Sequence, residues 1–162
     1  MEHGPGLLGA IEGSPLAVAM RTDLWTYPIV EIIHICGFVV LVGSIVVLDL
    51  RLLGFSRSIS ARALSRHVLP WTLGALLAIV PTGLLMFMTH ASDFVGNRAF
   101  QLKLGLILLA GVNAAIFHTG AFRGHALWDR DVNPPAPVKL HAAASLAIWA
   151  GVLACGRLLA YV

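Results

Sequence analysis

Glu31 and His34 stand three residues apart in a run that is otherwise almost wholly apolar. Residues at that spacing share one face of a helix. The carboxylate can then orient one ring nitrogen of the imidazole, or pair with a nearby cation. Ionisable groups at membrane depth cost about 2.5–3.5 kcal/mol near the bilayer centre, so they are functional candidates by default. Lys103 opens a third apolar run and Arg157 lies near the end of a fourth. At a helical rise of about 1.5 Å per residue, His34 lies roughly 10 Å inward from Tyr27. Glu31, His34, Lys103 and Arg157 therefore form one expected layer of one acid, one imidazole and two bases. Such a layer can hold an anionic group, a haem propionate or a substrate carboxylate. The same four residues also read as a buried salt-bridge network that fixes helix register, with Lys103 and Arg157 snorkelling outward.

A second polar set lies toward the other end of the runs: Asp49, Arg51, His67, Asn113, His118 and His141. Asp49, Arg51 and Asn113 are read as structural. Asp49 is expected to pair with Arg51, His118 or a loop arginine, because an unpaired carboxylate at the membrane edge is costly. Asn113 is expected to hydrogen-bond between helices. Seven histidines in so apolar a chain also raise haem b. A bis-axial haem needs two ligands at matched depth on facing helices. His34 and His118 differ by roughly 18 Å in depth and cannot share one iron. His118 and His141 match, and His34 matches His90 or Met86. His34, His118 and His141 are thus the candidate haem ligands. His3 and His125 are terminal or loop residues without an assigned role. No HExxH, no carboxylate–His metal set, no Ser/His/Asp order and no phosphate loop occurs, which gives a hydrolase or nucleotide enzyme little support.

The elements that would carry these groups follow from composition. Of the 162 residues, 58% are hydrophobic and 12% charged, half the usual charged share of about 25%. Crossing about 30 Å of hydrocarbon needs roughly 20 apolar residues. Spans are expected at about 28–50, 68–89, 100–122 and 140–161, in a single all-α transmembrane domain, a four-helix bundle. No polar shell remains to cover four such helices in a soluble protein. The net charge of +3 is too small and scattered for nucleic acid. Cys36 and Cys155 cannot form a disulfide framework.

The stretch 51–67 carries four arginines and no acid, and 120–139 carries Arg123, Arg130 and Lys139. The positive-inside rule puts both loops in the cytoplasm and both termini outside. Trp25, Tyr27 and Tyr161 then fit an outer aromatic belt, and Trp71 and Trp128 an inner one. Residues 1–26 lack the basic region and apolar core of a cleavable signal. Ser14-Pro15 reads as a helix start, Ser at the N-cap and Pro at the first position. A short helix over 15–24 is expected on the outer membrane surface, exposing Leu16, Ala19, Met20 and Asp23. Thr82-Gly83-Leu84-Leu85 echoes Cys155-Gly156-Arg157-Leu158-Leu159, as a parallel repeat of two helix pairs would.

A further set of motifs runs along nearly the whole chain. It comprises Ser14-Pro15-Leu16-Ala17-Val18-Ala19-Met20-Arg21, Tyr27-Pro28-Ile29-Val30-Glu31-Ile32-Ile33-His34-Ile35-Cys36-Gly37, Asp49-Leu50-Arg51-Leu52-Leu53-Gly54, Leu69-Pro70-Trp71-Thr72, Pro81-Thr82-Gly83-Leu84-Leu85-Met86-Phe87, Phe100-Gln101-Leu102-Lys103, Asn113-Ala114-Ala115-Ile116-Phe117-His118 and Gly156-Arg157-Leu158-Leu159. Together these resemble a family of small bacterial four-span membrane proteins of unknown function. The resemblance implies an inner-membrane protein without an assigned activity. It implies shared positions at Glu31, His34, Asp49, Arg51, Lys103, Asn113, His118 and Arg157, and none at His67, His90 or His141, which favours the outer layer over an inner two-histidine haem. The expected roles are a haem-b or quinone-linked electron-transfer subunit or membrane anchor, or else a non-enzymatic subunit or small-solute pathway without cofactor. The expected partners are the bilayer, and other membrane or periplasmic redox subunits or further copies of the chain.

Overall fold

A computed structural model describes residues 6–159 and 161. Glu2, His3, Ala160 and Val162 lie outside the described residues. The chain is all-α among those residues. Four of its helices are long and apolar enough to cross a membrane: α3 (Thr26–Leu53), α4 (Ala61–Thr89), α6 (Arg98–Thr119) and α7 (Ala136–Leu158). Three short helices accompany them: α1 (Leu7–Glu12), α2 (Pro15–Thr22) and α5 (Ala91–Gly96). A 3₁₀ helix, Ala121–Leu127, links α6 to the α7 approach.

The helix ends follow local chemistry. Gly54, at φ 108°, ends α3 in the left-handed conformation that favours glycine, and its amide bonds the Arg51 carbonyl at 3.1 Å. Helix α4 begins seven residues before the expected span, so 61–67 is helix rather than loop. The Ser60 hydroxyl accepts from the Ala63 amide at 3.0 Å, and Asp129 Oδ1 accepts from the Arg62 amide at 2.7 Å. Two side-chain oxygens thus cover two of the donors that the first turn leaves free, and the Asp129 carbonyl accepts from the Ala61 amide at 3.0 Å. Pro70 and Pro81 lie inside α4, each removing one backbone donor from the helix. Asn97 caps α6 by accepting from the Ala99 and Phe100 amides at 2.8 and 3.2 Å.

The long helices pack in the order α4, α3, α7, α6, with no continuous contact between α4 and α6. The two helix pairs are therefore not packed as equivalent halves. Leu41, Ala75, Ile79, Ala110, Trp149 and Val152 form the central core, with a contribution from each long helix. A second core at the far end joins Leu52, Ala61, Phe117, Trp128, Val138 and Ala142. Trp128 is buried there against Phe122, instead of standing in an inner aromatic belt. The indole gains more from this packing than from an interface, because the 3₁₀ turn folds it under the bundle.

The N-terminal segment caps the end that carries both termini. Ser14 and Pro15 start α2 as expected, with Ser14 Oγ accepting from the Ala17 amide at 3.3 Å. However, Ala17 and Met20 are buried, and α2 packs on α4 and α3. Met20, expected to be exposed, faces the bundle, while Leu16 and Val18 remain exposed. Arg21 fastens the cap by donating to the Thr89 carbonyl at 2.8 Å and the Glu12 carbonyl at 2.7 Å. Both acceptors belong to the last residues of helices, where carbonyls lack intrahelical partners and the dipole favours a cation. Asp23 secures the start of α3: Thr26 donates from its amide at 2.9 Å and from its hydroxyl. The Thr26 hydroxyl, then its amide, holds the Asp23 carboxyl below the usual carboxylate range.

Candidate functional site

The imidazole of His34 projects from α3 onto the Thr82-Gly83 step of α4. His34 Nδ1 lies 2.9 Å from Thr82 Oγ1. The Thr82 hydroxyl also bonds back to the carbonyls of Ala78 at 2.6 Å and Ile79 at 3.1 Å. Gly83 makes the seat: a Cβ there would come within 3.1 Å of His34 Cε1. One turn along α3, the Phe38 ring sits 5.2 Å from the imidazole, centroid to centroid.

Lys103 approaches the same ring from α6. Its Nζ stands 5.4 Å from the Phe38 centroid, a cation–π contact. On its other side a Cβ at Gly156 of α7 would lie 3.8 Å from Nζ. Cys155, next to Gly156 on α7, is buried. His34, Phe38, Thr82, Gly83, Lys103, Cys155 and Gly156 thus gather side chains and backbone from all four long helices into one layer. Below it lies the central core, beginning with Phe38 and Ile79.

The expected four-residue layer therefore brings two members together, His34 and Lys103. Glu31 is exposed and lies near Tyr27. Arg157 is exposed as well: it donates to the Tyr161 hydroxyl and lies over that ring, 4.9 Å from its centroid. Neither reaches His34 or Lys103. Among the described residues no carboxylate pairs with either of those two groups. Nothing in the sequence marked Thr82, Gly83 or Gly156 as seats. The only signal was the echo of Thr82-Gly83 in Cys155-Gly156, and it reflects two glycines that each receive a basic side chain from another helix.

The second polar set divides into separate contacts. His141 Nδ1 lies 2.8 Å from Asn113 Oδ1, and Asn113 Nδ2 donates to the His141 carbonyl at 3.1 Å. Asn113 thus makes an interhelical bond, between α6 and α7. Since Oδ1 can only accept, His141 carries its proton on Nδ1. His118 is exposed beside Phe117 and Phe122, and makes no direct contact with His141. His90 bonds Thr89 next to it at 3.0 Å. Among the described residues no three His, Cys, Asp or Glu side chains converge as a metal centre would require.

Asp49 and Arg51 are both buried, at 6% and 2% exposure, and they are not partners. Two residues apart on a helix, they point in different directions. Asp49 lies near Ser145 of α7, and its Oδ2 has no hydrogen-bond partner. Arg51 turns to the connections instead. It donates from Nε to the Ile59 carbonyl at 2.6 Å, and from Nη2 to the carbonyls of Arg57 at 3.3 Å and Asp129 at 3.0 Å. This replaces the expected Asp49 pairing with a guanidinium that knots two loops. Asp129 is part of the knot. Burial pushes its carboxyl up, but the Arg62 amide and Ser60 hydroxyl donate to it, with His125 and Arg130 nearby. Together these hold it below the usual carboxylate range.

No curated protein and no solved structure matches the chain. Residues 21–162 match the model of a family described as "Family of unknown function (DUF6644)".

Proposed function

We propose a function for this chain, which belongs to that family of unknown function, from its geometry: it is a multi-pass inner-membrane protein of bacterial type that binds a lipid-soluble quinone at His34 and Lys103 and serves an electron-transfer assembly. The carrying observation is the placement of an imidazole and an ammonium, both half-buried, around the one Phe38 ring, with every long helix contributing to their layer. Two such groups placed at membrane depth and left without a carboxylate are suited to oxygen atoms of a ligand. A quinone head group offers two ring oxygens on an apolar body. Phe87 of α4 and Phe100 of α6 stack 5.7 Å apart, about one turn from Gly83 and Lys103, and add aromatic surface beside the layer. The apolar floor of Phe38 and Ile79 suits the ring.

Orientation is part of the reading. Both basic connections face the cytoplasm and both termini the periplasm, which puts the quinone layer near the periplasmic side. Electrons would then leave toward a periplasmic or membrane redox partner. Haem b is the other cofactor class that this site would take: His34 Nε2 as an axial ligand, and Lys103 beside a propionate.

The test uses purified full-length protein in detergent micelles. A short-chain benzoquinone should quench the tryptophan fluorescence saturably, with Trp149 in the core as the nearest reporter, and His34→Ala or Lys103→Met should abolish saturation. Absence of saturable binding in the wild type overturns the quinone reading. A stoichiometric absorbance band near roughly 400–430 nm, lost in His34→Ala, replaces it with haem.

A further inference from the structure

Thr82 has one hydroxyl hydrogen, and its closest oxygen contact is the Ala78 carbonyl at 2.6 Å. Two oxygens that close need a hydrogen between them. The Thr82 hydrogen is thus committed to its own helix, and its lone pairs face His34 Nδ1 at 2.9 Å. The hydrogen on that contact belongs to the imidazole. A neutral imidazole that carries its proton on Nδ1 presents a bare lone pair at Nε2. Gly83 leaves the room in which the ring sits, since a Cβ there would come within 3.1 Å of Cε1.

The site therefore offers two unlike groups. Lys103 can only donate, and His34 Nε2 can only accept. A quinone, with two carbonyl oxygens, satisfies Lys103 but turns a lone pair toward the lone pair of Nε2. A hydroquinone satisfies both: one ring oxygen accepts from Lys103, and the hydroxyl on the other donates to Nε2. We infer that the site selects the reduced, hydroxyl-bearing form of its ligand, with Thr82 as the positioning residue that sets the selection through the His34 tautomer. This rests on the quinone reading above and specifies which redox form is held.

Binding of a short-chain benzoquinone and of its hydroquinone, kept reduced under argon with dithionite, is compared on the full-length protein. The hydroquinone should bind about tenfold more tightly, the equivalent of one hydrogen bond gained. Thr82→Val keeps the side-chain shape and removes the acceptor that fixes the tautomer. It should reduce the preference to within about twofold, through loss of that same bond, while the quinone still binds. Equal binding of both forms to the wild type overturns the selection and leaves the quinone site standing. Binding of neither removes both. A measurement without ligand guards against a variant that fails to fold: ¹⁵N NMR of histidine-labelled wild-type protein should show a His34 resonance pair with Nδ1 protonated and Nε2 bare. The reverse pattern overturns the inference whatever the binding shows.

Discussion

Arg51 and Asp129 stand 78 residues apart in sequence, yet Arg51 Nη2 donates to the Asp129 carbonyl at 3.0 Å while the Asp129 side chain caps α4. One contact thereby joins the end of α3, the start of α4 and the approach to α7. Removing the guanidinium would leave the Ile59 carbonyl without this donor and would untie the Arg57 and Asp129 carbonyls from α3, although those two keep the amides of Asp131 and Ala61. Arg51→Ala should lower unfolding stability in detergent by about 3 kcal/mol, the range for breaking a buried charged network. Arg51→Lys should rescue only part of this, because an ammonium cannot span three diverging carbonyls as the guanidinium does. Melting curves of the two variants beside the wild type would show it.

The Asp129 carboxyl gives the fold a pH dependence with a definite sign. Its folded-state pKa lies below the ordinary 3.8. The stability it contributes is fully present above 3.8, and is lost as pH falls through the lower folded value. Asp129→Asn should therefore melt below the wild type at neutral pH, with the gap closing at strongly acidic pH. A gap that stays constant with pH would assign the effect to shape and not to charge.

Asp49 should behave in the opposite way from a paired carboxylate. Its Oδ2 has no partner, and the polar group near it is the Ser145 hydroxyl. Asp49→Asn keeps the shape and an acceptor for Ser145 and removes a buried ionisable group. The variant should match or exceed wild-type stability in detergent. A loss above about 1 kcal/mol would show that the charge has a partner.

Gly37 allows α3 and α4 to approach. A Cβ there would fall 2.8 Å from Ile79 Cγ1, inside the central core. Gly37→Ala should cost about 1–3 kcal/mol, the usual price of overpacking. Pairing it with Ile79→Ala, which removes the crowded γ-carbon, should cost less than the sum of the two single losses in the same melting assay.

Reporter fusions test the orientation directly. With the basic connections inside, fusions at Gly54 and Gly124 should be active only as cytoplasmic reporters. Activity of a periplasmic reporter at either site would reverse the bundle and move the His34 layer to the cytoplasmic side.

Length and hydropathy alone determined the four long helices, and their limits to within four residues except the start of α4, which lies seven residues early, because crossing hydrocarbon demands unbroken apolar runs and such runs are local. The cap at Ser14-Pro15 was equally legible, being a contact between residues three apart. What the helices turn toward one another was decided only by tertiary structure. The long helices are apolar on nearly every face, so no stripe specifies their rotation, and rotation chooses the partners. It gave Asp49 to Ser145 instead of Arg51, and put Met20 and Trp128 inside. It brought Lys103 to His34 while leaving Glu31 and Arg157 outside. The determinants of that rotation are glycines and hydroxyls, Gly37, Gly83, Gly156 and Thr82, whose role is to let another helix come close. A glycine written in a sequence does not say which side chain will occupy the space it leaves.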